Sequence, residues 1–238
     1  MCEDNQNNIN LLLFVAISIA SLLIVTLLGF YAPTAADTFY WRKPLVGTVF
    51  TLVCMLGMLA ALKPDKCLLS TPNSTPKNER ERREATTYVL KGHHFNCGKF
   101  DAHTIHLDGH VLCAACSGLF TGAVIALVAS SLHFWDLVIF RVDGLLAVLL
   151  GVPLVFAGFA QFMFKKAVRA VMNVFFVFGA FLILFGIDNL SRNLFLDLLV
   201  LCMIIFWIIT RILLSEWSHK RTCRRCDFQC KIGIKKKG

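Results

Sequence analysis

Residues 93–122, HHFNCGKFDAHTIHLDGHVLCAACSGLFTG, hold five of the seven histidines and three of the ten cysteines in this 238-residue chain. Thiolate and imidazole are ligands that zinc favours in a tetrahedron of four, and a Cys-x-x-Cys knuckle supplies two of them through one tight turn. Cys113 and Cys116 form that knuckle, and Cys97 with His94 or His93 forms the upstream half. The fifteen residues between Cys97 and Cys113 leave room for a hairpin. The spacing predicts a structural zinc site of one histidine and three cysteines, with His93 and His94 both open as the nitrogen ligand. His103, His106 and His110 are surplus to it, either as exposed polar positions or as ligands of a second ion.

A second compact set follows the last apolar run: His219, Cys223, Cys226 and Cys230. These four can form another site of the same kind. Alternatively, Cys223 and Cys226 join Cys113 and Cys116 in one all-cysteine site, so the sequence predicts one or two zinc ions. Left unligated, such juxtamembrane cysteines would be open to acylation. The same knuckle could serve a membrane thiol-disulfide oxidoreductase, because a thiol at a helix start is activated. Haem attachment is excluded, since Ser117 stands where that motif needs histidine. No catalytic residue is assigned.

The elements that must position these ligands lie in lipid. The chain is 57% hydrophobic with a mean hydropathy of +0.67 and 21 phenylalanines, a composition beyond that of ordinary soluble domains. Six apolar runs cover residues 9–31, 45–62, 118–135, 144–164, 170–190 and 194–214, each about long enough to cross a bilayer as a helix of roughly 20 residues. The first run is preceded by Glu3 and Asp4 rather than by basic residues, so it reads as a retained helix rather than a signal peptide. The expected fold is an all-α integral membrane protein, a six-helix transmembrane bundle with a small cytoplasmic Cys/His-rich hairpin module. Its segments are 1–62 with helices one and two, a linker at 63–92, the metal-binding module at 93–117, helices three to six at 118–214, and a Cys-rich basic tail at 215–238. Within the module, two short alternating segments flank Asp108-Gly109, a pair favoured in two-residue hairpin turns.

The formal charge of +9 is a topology signal. Twenty of the 24 Lys and Arg residues fall in or beside residues 63–117, the turn at 165–169, and the stretch from Arg211 onward, while Arg42, Lys43, Arg141 and Arg192 lie on the other side. The positive-inside rule then predicts a multi-pass protein of the cell membrane with both termini cytoplasmic. It also excludes nucleic acid as the reason for the charge. Cysteines on that side are kept reduced and serve as ligands before they serve as disulfides. The tail, ending KIGIKKKG, adds a possible hold on anionic lipid.

Glycines recur every seven residues at 144, 151 and 158 and again at 179 and 186, with Gly118 and Gly122 four apart, which predicts close helix contacts. Cys54 and Cys202 read as small buried apolar residues. An outer ion pair of Asp188 with Arg192 is expected, and no helix shows a mid-membrane proton-relay pattern. The residues His93 to Cys97 together with Cys113-Ala-Ala-Cys116-Ser117-Gly118-Leu119 resemble the signature of an uncharacterised prokaryotic membrane-protein family, domain of unknown function 2085. Its Cys-x-x-Cys-Thr-Gly-Ile/Leu motif leads into a span; here Ser117 replaces the threonine. The resemblance implies a membrane protein with a Cys-rich motif and brings no activity. The expected role is a docking, sensing or assembly platform for a protein partner or a second copy, with thiol-disulfide exchange or small-solute transport as alternatives.

Overall fold

The computed structural model describes residues 2–31, 33, 39–62, 104–107, 110–138 and 142–224. In chain order the elements are α1 (Cys2–Tyr31), α2 (Arg42–Leu62), β1 (Thr104–Leu107), β2 (His110–Cys113), α3 (Ala114–Phe134), α4 (Gly144–Phe159), α5 (Lys166–Ser191) and α6 (Leu194–Arg224). A 3-10 turn, Ala160–Met163, extends α4. All six helices contain apolar stretches of 20 to 26 residues, or about 30–39 Å at 1.5 Å per residue. That length matches a bilayer's hydrocarbon core, and the chain is a multi-pass membrane protein. Leu12, Leu23, Leu56, Leu59 and Phe156 point outward and are more than half exposed, as lipid-facing side chains are.

Interhelical contact inside lipid depends on shape rather than on water exclusion, so small residues govern it. The tightest pair is α4 with α5. A Cβ at Gly151 would stand 2.7 Å from the Gly179 carbonyl, and one at Gly144 would stand 2.8 Å from that of Gly186. Larger residues there would force the two backbones apart. Gly118 and Gly122 bring α3 against α5 at Ala170 and Val174 in the same way. These contacts run in the same chain direction, so α3 and α5 are parallel and start at one end of the bundle.

The outer helix α1 is held to α6 by hydrogen bonds along its length. Trp207 Nε1 donates to Ser21 Oγ at 2.6 Å, Ser18 Oγ donates to Thr210 Oγ1 at 2.9 Å, and Trp217 Nε1 donates to Asn8 Oδ1 at 3.2 Å. The starts of α1, α3 and α5 and the last turns of α4 and α6 thus share one end, here termed the hairpin end. β1 pairs antiparallel with β2, with Thr104 opposite Cys113 and Leu107 opposite His110. The connecting Asp108 and Gly109 lie outside the described residues.

Candidate functional site

Cys113 closes β2 and is the N-cap of α3, with φ −71° and ψ 120°. Cys116 follows within the first helical turn, and Ser117 Oγ donates to the Cys113 carbonyl at 3.0 Å. The hairpin therefore passes into a span without a linker, and both thiols stand at the positive end of a helix dipole. Cys113 is buried and Cys116 half-buried, and neither is in a disulfide. Arg169, 1% exposed, lies within electrostatic reach of Cys113. The Gly118 contact with Ala170 sets the two helix starts side by side.

Of the other predicted ligands, His93, His94, Cys97, Cys226 and Cys230 lie outside the described residues, as does His103. His219 and Cys223 are on α6, which continues about 20 Å past Arg211; only their backbone is described. The same holds for His106 and His110 in the strands. Among the described residues no three metal-ligating side chains gather.

Deeper at the hairpin end lies a polar layer that hydropathy does not reveal. Arg211 of α6 donates from Nε and Nη2 to Asn173 Oδ1 of α5, at 3.0 and 2.7 Å, and from Nη2 to Gln161 Oε1 at 3.5 Å. Asn173 Nδ2 in turn donates to the Arg169 carbonyl at 2.7 Å. All four residues are buried. Gln161 Nε2 is buried without a hydrogen-bond partner.

The far end of the bundle holds a second buried cluster, drawn from four helices. Arg42 Nη1 of α2 donates to Asp188 Oδ1 of α5 and, at 2.5 Å, to Asp197 Oδ2 of α6. His133 Nε2 of α3 meets Asp188 Oδ2 at 2.9 Å. Its ring stands edge-on between Phe134 and Phe185, with centroids 4.8 and 4.6 Å away. Arg42, Asp188 and Asp197 are at most 2% exposed.

This corrects the expected Asp188–Arg192 pair: Asp188 turns inward to Arg42 and His133. Arg192 adopts a left-handed conformation, φ 48°, and its N–H caps α5 at the Asp188 carbonyl. Cys54 is buried as expected, whereas Cys202 faces outward. The cluster had one available signal, which is that Arg42, His133, Asp188 and Asp197 all fall where successive spans reach the same end.

No protein-family profile, curated protein or solved structure matches the chain.

Proposed function

We propose that this chain is a cell-membrane protein whose cytoplasmic Cys/His module binds zinc structurally and acts as a docking, sensing or assembly platform. The observation that carries the reading is the knuckle itself: Cys113 at a strand end and Cys116 in the first turn of α3, with buried Arg169 in electrostatic reach. Zinc with three thiolates and one imidazole has a net charge of −1. A neighbouring guanidinium offsets it, as supporting groups around metal centres do. His219 and Cys223 leave the bundle on α6 at the same end, which favours a shared or adjacent second set. The cytoplasmic assignment of this end rests on its excess of lysine and arginine.

Thiol-disulfide exchange draws support from the helix-start location, but the burial of Cys113 weighs against it, because an exchanging thiol needs access. Metal analysis of the purified protein separates the two. Zinc is expected in the wild type. About one ion per chain, lost in both Cys113→Ser and Cys223→Ser, indicates a shared site, and two ions, one lost with each change, indicate separate sites. A metal-free protein with a titratable Cys113–Cys116 disulfide would refute the zinc reading in favour of the redox one.

A further inference from the structure

Three helices meet around the Trp217 indole at the hairpin end. Its Nε1 donates to Asn8 Oδ1 of α1 at 3.2 Å, and its ring meets that of Phe162, in the 3-10 extension of α4, edge-on at 6.1 Å. The Arg221 guanidinium, one turn further along α6, covers the indole 5.3 Å from its centroid. Asn8 directly precedes the apolar run at 9–31, Phe162 is two residues from the end of the run at 144–164, and Trp217 is three residues beyond the run at 194–214. The indole therefore sits where these spans pass from hydrocarbon to headgroups, the depth that tryptophan favours.

Beside it, the turn from α4 to α5 presents apolar and then basic side chains. Phe162, Met163 and Phe164 are exposed, Met163 by 71%, and Lys165 and Lys166 follow, exposed as well. Neither lysine forms an ion pair among the described residues. Lys166 has φ 48°, a left-handed conformation in which glycine is the usual residue, so a cation occupies a place the backbone alone would give to glycine. Between Asp143 and Asp188 the chain has no acidic residue; the acids of α1 and α6 at this end are Glu3, Asp4 and Glu216.

We propose that the Phe162–Lys166 turn, backed by Trp217, is a binding site for an anionic phospholipid of the leaflet at the hairpin end. Lys165 and Lys166 hold the phosphate, and Phe162, Met163 and Phe164 lie along the acyl chains. Ammonium groups bind phosphate as point charges, and basic residues beside a span are drawn to anionic lipid. A spanning chain is always in contact with lipid, so the lysines select among headgroups rather than recruit a partner from solution. The site is separate from the zinc reading, since none of its residues is a proposed ligand, and it is separate from the basic tail.

The test reads Trp217 in the full chain, reconstituted in vesicles of equal parts phosphatidylcholine and phosphatidylglycerol. The acyl chains of one lipid or of the other are brominated, because bromine quenches indole emission on contact. The Trp217 share is the emission that Trp217→Phe removes. In the wild type this share is expected to be quenched several-fold more strongly by brominated phosphatidylglycerol than by brominated phosphatidylcholine. The preference is expected to vanish in the double variant Lys165→Gln/Lys166→Gln and to persist in Lys165→Arg/Lys166→Arg, which keeps both charges. It is also expected to persist in the tail variant Lys235→Gln/Lys236→Gln/Lys237→Gln. Equal quenching by the two lipids in the wild type overturns the proposal. So does a preference that survives in the glutamine double variant, or one that the tail variant abolishes.

Discussion

The two ends of the bundle each bury an arginine, in contacts of different kinds. At the far end Arg42 is shared by two carboxylates, Asp188 and Asp197, and His133 holds the remaining side of Asp188. At the hairpin end Arg211 is held by the oxygens of Asn173 and Gln161, and a neighbouring amide donor stays unmet. A charge removed from water needs an opposite charge or a full set of hydrogen bonds. The far cluster contains its acids and ties together α2, α3, α5 and α6, so it reads as a clamp. The hairpin layer holds its arginine through amide oxygens, and it lies under the cysteines that the zinc reading requires.

Substitutions that remove or exchange charge should break this contrast most visibly. Arg42→Met leaves two buried carboxylates without their guanidinium and should cost about 3–5 kcal/mol, the usual penalty for halving a buried pair. Thermal unfolding in detergent would show this as a large fall in Tm or as loss of folded protein. Asp197→Asn keeps the shape but weakens one charge-assisted bond, and a loss of about 1–3 kcal/mol is expected in the same assay. Gln161→Glu should act in the opposite sense at the other end. A carboxylate facing Arg211 Nη2 strengthens the 3.5 Å contact and should stabilise the protein by about 1 kcal/mol, read as a higher Tm. A fall in Tm there would show that the two layers obey the same rule. The smallest effect is expected for Lys43→Met, whose partner Asp136 is 69% exposed; a surface pair contributes at most about 1 kcal/mol, so Tm should barely move.

How much of this was legible in the sequence depends on distance along the chain. The six spans were, because long uncharged runs announce themselves locally, and so were the glycine faces, through their seven-residue spacing. Helix ends were not. Hydropathy stops short of Arg42, Arg169 and the α6 extension, while the helices include them; Arg42 is neutralised there by Asp188 and Asp197 from elsewhere in the fold. Asp188 finds Arg42 across 146 residues and His133 across 55, and no local pattern encodes either pairing. Its neighbour Arg192 looked nearer in sequence, but the left-handed cap turns it away. The Cys113–Cys116 spacing and its place at the start of α3 were both legible in the sequence, and the fold added the buried Arg169 nearby.

The central claim is that these two cysteines hold zinc, and X-ray absorption at the zinc edge of the purified protein tests it most directly. The claim predicts bound zinc with three or four sulfur neighbours at about 2.3 Å, a shell that loses sulfur or disappears in Cys113→Ser. A shell of oxygen and nitrogen only, or a protein purified without zinc and unable to take it up, would contradict it.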